Sequence, residues 1–172
     1  ISIINRTYNQ ALKALKDPNL IVIATDSKEI ENHCKSFGAK VIMTSPNCLT
    51  GTDRVAEVSE IIKAKQYINL QGDEPIFPTK SLSFFVKAVN RDPSYVYTAT
   101  KLIDSEKDYR NYSIPKMVFS ESKNLLFSSR APIPANKANS YNLAYKHVCI
   151  YAFNASHLKA YKSQAKKTFF ES

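Results

Sequence analysis

Leu20-Ile-Val-Ile-Ala24, Ala39-Lys-Val-Ile-Met43 and Tyr67-Ile-Asn-Leu70 are three short runs rich in β-branched and aromatic residues, each followed by a polar turn. A continuous run such as 20–24 has the pattern of a strand covered on both faces in a parallel sheet. Thr25-Asp26-Ser27 closes it. Asp26 or Ser27 is placed to cap a following helix, Glu29 to reach back as in a capping box, and Ile30, Cys34 and Phe37 to share the buried side. Gly38 ends that helix, and residues 44–51 form a polar loop around Pro46 and Asn47. From Thr52, the spacing of Val55, Val58, Ile61 and Ile62 predicts a second amphipathic helix. Strand, helix, strand, helix, strand is the rhythm of an α/β fold with a doubly wound, mostly parallel sheet.

The second half is less regular and richer in strands. Leu82, Phe85, Val86 and Val89 predict a helix over 81–89, followed by a strand over 95–100. Residues 116–119 and 124–127 read as a hairpin. Arg130-Ala-Pro-Ile-Pro134 is stiff and extended, because each proline fixes its own φ and disfavours helix in its predecessor. A polar loop over 136–142 leads to an alternating strand over 146–153, and Ser156 is placed to cap a last helix that runs toward Tyr161 and ends near Ser172. With no internal repeat and no clear boundary, residues 1–172 read as one domain.

The chain has 172 residues, 44% hydrophobic and 23% charged, enough to bury a core without disulfide staples. Its apolar runs are far shorter than the roughly 18 residues that span a bilayer, so no membrane segment is expected. Cys34, Cys48 and Cys149 are an odd set with no C-x-x-C spacing, which argues against a disulfide framework or a structural zinc and for a reducing, cytoplasmic setting. The formal charge is +9, yet the lysines are scattered and only Lys166 and Lys167 adjoin. Scattered lysines solvate helix faces, so nucleic acid is not an expected partner. Ile1-Ser-Ile-Ile4 shows neither an initiator Met nor a signal segment and reads as the interior of a longer sequence.

Ligands of doubly wound sheets bind beyond the carboxyl ends of the strands, which directs attention to Thr25, residues 44–54 and Gln71-Gly-Asp-Glu-Pro75. A carboxylate there, beside a glycine that lets a ligand approach the backbone, suits Mg²⁺ held by one or two carboxylates and by substrate phosphates. Asp73 is the candidate ligand. Gly-Asp is also ordinary turn material. Other residues have plain readings too: Arg54 can pair with Asp53 or Glu57, His147 and Tyr151 can be packing residues, and Arg130 a surface charge.

Ala24-Thr-Asp26, Thr50-Gly-Thr-Asp-Arg-Val-Ala-Glu57, Tyr67-Ile-Asn-Leu-Gln-Gly-Asp-Glu-Pro75, Ser129-Arg-Ala-Pro-Ile-Pro134 and Lys146-His-Val-Cys-Ile-Tyr151 together resemble, in order and separation, the 3-deoxy-manno-octulosonate cytidylyltransferases. The resemblance spans nearly the whole chain. Its most specific piece is Gly-Thr-Asp-Arg combined with Gln-Gly-Asp-Glu-Pro. It implies a nucleotide-diphospho-sugar transferase-like fold and transfer of CMP from CTP to the sugar acid Kdo, with release of pyrophosphate, for lipopolysaccharide biosynthesis. It also implies Mg²⁺ as cofactor and a cytoplasmic homodimer.

Carried over by matching residues, the resemblance makes Asp73 the Mg²⁺ ligand and a catalytic residue beside Gln71, which also faces the sugar acid. Arg54 and Thr52 lie near the nucleotide. Arg130, His147 and Tyr151 bind the sugar acid, for whose carboxylate a bidentate guanidinium is well shaped. Lys116 matches a family lysine, with no role attached. The family opens with a strand and a phosphate-wrapping loop and continues with a Glu-rich helix and a late Asp that completes the metal site. By this resemblance, residues 1–172 lack both. Thr50, Ser128 and Cys149 stand where Ser, an aromatic and Gly are usual. Two alternatives follow: a cytidylyltransferase for another sugar acid, and an inactive, truncated nucleotide-binding module.

Overall fold

The computed structural model of the chain describes residues 1–164. In chain order the helices are α1 (Ile3–Leu15), α2 (Lys28–Ser36), α3 (Gly51–Ile61), α4 (Thr79–Arg91), α5 (Glu106–Arg110) and α6 (Ala155–Ser163). The strands are β1 (Ile23–Thr25), β2 (Val41–Met43), β3 (Tyr67–Leu70), β4 (Tyr97–Leu102), β5 (Lys116–Phe119), β6 (Leu125–Ser129) and β7 (Tyr145–Phe153). The chain forms two compact units, one of Ile1–Tyr97 with the stretch from Ile150 onward, the other of Thr98–Cys149.

In the first unit, α1 is an element the sequence reading did not foresee. Ser2 caps it by accepting from the Asn5 amide at 3.3 Å, and Thr7, Tyr8 and Ala11 form its buried stripe. The Thr7 hydroxyl donates to the Gly72 carbonyl at 2.9 Å, tying α1 to the turn after β3. β1 is shorter than expected because Asp17 and Pro18 open a 3₁₀ turn, Pro18–Leu20, that leaves Leu20 67% exposed. β1 and β2 pair in parallel, from Ile23↔Val41 to Thr25↔Met43. β3 runs antiparallel to the end of β7, from Tyr67↔Phe153 to Leu70↔Ile150.

The caps differ in detail from expectation. Ser27, not Asp26, caps α2, so Glu29 completes no box there, and Ile30 faces out while Cys34 is buried. Thr50 caps α3 in a reciprocal box with Asp53. Asn154, not Ser156, caps α6, with His157 reaching back. These caps aim α3 and α6 at β3, where Ala56, Tyr67, Phe153 and Leu158 form a core with Val55 and Tyr151 packed on it. Leu158 is fully buried, a position where truncation to Ala costs about 2–5 kcal/mol. The expected end of the last helix near Ser172, like the Lys166-Lys167 pair, lies outside the described residues.

In the second unit, β4 pairs with β7 and starts at Tyr97 rather than Tyr95, because Asp92 first closes a turn on Ser94 and its carbonyl accepts from the Tyr97 hydroxyl at 2.7 Å. β5 and β6 form the expected hairpin, with an irregularity between Val118 and Phe119. The first residues of β5 also pair with β7, Lys116↔Lys146 and Met117↔Tyr145. The short helix α5 buries Tyr109 with Ile103 and Ala144, and the Tyr109 hydroxyl donates to the Pro134 carbonyl at 2.9 Å. Among the described residues no helix is long and apolar enough to cross a membrane, and all three cysteines are free thiols.

Candidate functional site

A cleft of about 610 Å³ opens in the first unit. β1 and β3 both line it without hydrogen-bonding to each other. Tyr8 and Ala11 of α1 contribute apolar wall, and the strand ends contribute polar residues. Arg54, Gln71 and Asp73 all line it, so three of the residues singled out from sequence share one cavity.

Arg54 stands on the first turn of α3, where the Thr50 cap fixes its direction. Its Nη2 meets the Asp26 carboxylate at 2.9 Å, and its Nη1 donates to the Thr44 hydroxyl at 2.8 Å and the Ser45 carbonyl at 3.3 Å. Neither sequence neighbour is its partner. Asp53 is taken by the Thr50 cap, and Glu57 accepts from the Ser45 amide at 2.8 Å. The Arg54 guanidinium, foremost through its hydrogen bond, holds the Asp26 carboxyl below the usual aspartate value. α3 thereby clamps the loops after β1 and β2, with a cation at the rim of the cleft.

Gln71 is half-buried and Asp73 exposed, in a turn closed by the Glu74 amide donating to the Gln71 carbonyl at 3.2 Å. Besides leaving room for ligand approach, Gly72 has a close neighbour in α1. A Cβ there would sit 3.0 Å from Cδ1 of Ile4, the far end of a flexible side chain that would have to give slightly. Among the described residues no three His, Cys, Asp or Glu side chains cluster as a metal cage. Asp73 is a lone hard oxygen donor at a cavity wall, the donor set that suits a Mg²⁺ completed by phosphate oxygens and water.

The remaining candidates stand apart from this cleft's lining. Thr52 is half-buried in the first turn of α3 and does not line the cavity. Tyr151 stacks on Phe153 at 6.2 Å and packs on the core. His147 and Arg130 belong to the second unit. His147 is half-buried, its Nε2 lies 3.0 Å from the Thr98 hydroxyl, and burial pushes its pKa below the usual imidazole value. Arg130 is exposed, and its Nη1 donates to the carbonyls of Tyr112 at 3.2 Å and Ser113 at 3.1 Å. The structural roles of two residues escaped the sequence reading. Asp26 was read as a helix cap, and Lys116 turns out to be wholly buried. The Ala24-Thr-Asp26 match was the available signal for the first, and the match to a family lysine for the second, which by itself attaches no role.

Parallel β1 and β2, helices set around them and a cleft at the strand ends define an α/β protein of the kind that binds ligands beyond its strand ends. The sequence profile of the cytidylyltransferases matches residues 1–172, and the chain belongs to that family. It is 38% identical over 169 residues to a 3-deoxy-manno-octulosonate cytidylyltransferase of Protochlamydia amoebophila, covering 94% of this chain and 65% of the relative. A relative of the same name from Chlorobium phaeobacteroides is 34% identical, with 95% and 67% covered. The chain thus spans about two thirds of the length of these relatives. The solved structure of a CMP:2-keto-3-deoxy-manno-octonic acid synthetase complexed with CTP superposes with a TM-score of 0.87 at 32% identity, over 97% of this chain and 68% of that one.

Proposed function

We propose that the protein transfers CMP from CTP to the sugar acid Kdo and releases pyrophosphate, in the service of lipopolysaccharide biosynthesis. The observation that carries this reading is the gathering of Arg54, Gln71 and Asp73 in one cleft at strand ends, in a chain 38% identical to a 3-deoxy-manno-octulosonate cytidylyltransferase. The anomeric hydroxyl of the sugar acid attacks the α-phosphorus in line, and the pyrophosphate oxygen leaves.

The side chains supply positioning and charge. Arg54, anchored by Asp26, presents a fixed cation beside the nucleotide, with Thr52 on the same helical turn. Gln71 offers an amide to the sugar acid. Arg130 leaves its Nε and Nη2 edge without a hydrogen bond among the described residues, the edge that grips a carboxylate bidentately. His147, kept neutral by burial, and Tyr151 offer hydrogen bonds to sugar hydroxyls. Asp73 would hold Mg²⁺. Bound there, the ion neutralises triphosphate charge.

The resemblance supports one further part of the proposal. The protein is a cytoplasmic homodimer, a reading favoured by three free thiols and by exposed Leu125, Leu126 and Phe127 on β6.

Incubating the intact protein with CTP, Mg²⁺ and a panel of sugar acids tests the reading. CMP-Kdo and pyrophosphate are expected in equal amounts. Turnover confined to another acid, which Cys149 and Ser128 keep as the second reading, rejects the substrate, and CTP binding without any product rejects the activity.

A further inference from the structure

Lys116 opens β5 with no exposed surface at all. Among the described residues its ammonium meets no carboxylate; it donates instead to three backbone carbonyls, those of Asn111 at 3.0 Å, Ile114 at 2.8 Å and Arg130 at 2.6 Å. That uses every N–H of the group. An ammonium out of water is costly unless each proton finds an oxygen, so these carbonyl positions and the lysine constrain one another.

The carbonyls of Asn111, Tyr112, Ser113 and Ile114 are consecutive, and two cations divide them. The outer two accept from Lys116 and the inner two from Nη1 of Arg130. Lys116 also holds the backbone of Arg130 through its carbonyl. Both ends of Arg130, its main chain and its guanidinium, are therefore referred to one loop that Lys116 keeps in shape. Burial, and secondarily the nearby Arg130 charge, lower the lysine's pKa, as expected for a cation enclosed without a counter-ion.

We infer that Lys116 is a positioning residue: by clamping the 111–114 carbonyls and the Arg130 backbone, it sets the direction in which Arg130 offers its free edge to the carboxylate of the sugar acid. The inference rests on the role proposed above for Arg130. Lys116 itself touches no substrate, since its protons are all spent on the backbone.

Steady-state kinetics of the intact protein test it with Arg130→Ala, Lys116→Met and the double variant. Arg130→Ala should raise KM for the sugar acid about tenfold or more, and Lys116→Met should raise it by a similar factor while KM for CTP stays within about twofold. In the Arg130→Ala background, Lys116→Met should add less than about twofold, because the lysine has nothing left to aim. If Lys116→Met yields no folded protein, Lys116→Gln, whose amide retains two donors, carries the same comparisons. Effects that multiply in the double variant, or that raise both KM values alike, overturn the positioning role and leave Arg130 in place. An unchanged sugar-acid KM in Arg130→Ala overturns the site reading itself, and the inference with it.

Discussion

Arg54 grips Asp26 at 2.9 Å, so a side chain from the first turn of α3 closes the loop at the end of β1. The same guanidinium reaches Thr44 after β2. This clamp shapes the rim of the cleft, and its ionisation can be followed.

Asp26 keeps its charge to a lower pH in the folded chain than in the unfolded one, with the Arg54 hydrogen bond as the leading cause. A depressed carboxylate contributes stability above its unfolded pKa and loses it as pH falls through the folded value. Asp26→Asn should therefore melt earlier than wild type at about pH 7, and the gap should close below about pH 4. Thermal melts of both proteins from neutral to acid pH check this; a gap that does not shrink contradicts the ion pair.

Asp73 is exposed and makes no hydrogen bond among the described residues, so its loss should spare the fold. Asp73→Asn should leave stability within about 0.5 kcal/mol yet lower Mg²⁺-dependent turnover of the intact protein by about a thousandfold. Melting and turnover measured on one preparation separate the two effects. Undiminished turnover removes the metal assignment.

Gly72→Ala places a Cβ 3.0 Å from Ile4 Cδ1 and should cost less than about 1 kcal/mol, through an off-rotamer turn of the Ile4 side chain. Ile4→Val deletes that methyl. The double variant should be more stable than the sum of the single losses allows, as denaturant titration will read. Simple additivity would place the strain elsewhere.

His147 is half-buried, and its pKa lies below the ordinary 6.5. A base with a depressed folded pKa contributes stability above its unfolded value and loses it as pH falls toward the folded one. An NMR titration should give an imidazole midpoint below 6.5. In His147→Gln, stability should decline less between about pH 6.5 and pH 5 than in wild type. A midpoint above the ordinary value refutes the burial argument.

Leu126 and Phe127 are 65% and 60% exposed on β6. If they pack against a second copy, Leu126→Asp combined with Phe127→Asp should turn a dimer into a monomer in sedimentation without lowering the melting temperature of the monomer. A wild-type protein that sediments as a monomer at tens of micromolar ends the proposal.

What could be read in advance had local causes. β3 was legible residue for residue, Tyr67–Leu70, because an apolar run is cut off by Gln71-Gly-Asp. α3 was found within a residue of its start, since its cap and apolar spacing lie inside one short stretch. α1 was missed because its buried stripe includes the polar Thr7, whose hydroxyl reaches the distant Gly72 carbonyl as well as that of Ile3. Arg130, His147 and Tyr151 were singled out only jointly, through motif order, since none has a local signature.

Short-range chemistry in the chain, such as caps, turns and apolar period, decided the succession of elements and the motif residues on them, because those preferences act over a few neighbouring positions. Which charge meets which partner was settled by folding. Arg54 passes over Asp53 and Glu57 for Asp26, and Lys116 turns from solvent to three carbonyls. A charged group takes whichever compensating atoms the packed chain brings within reach, and that depends on contacts far apart in sequence.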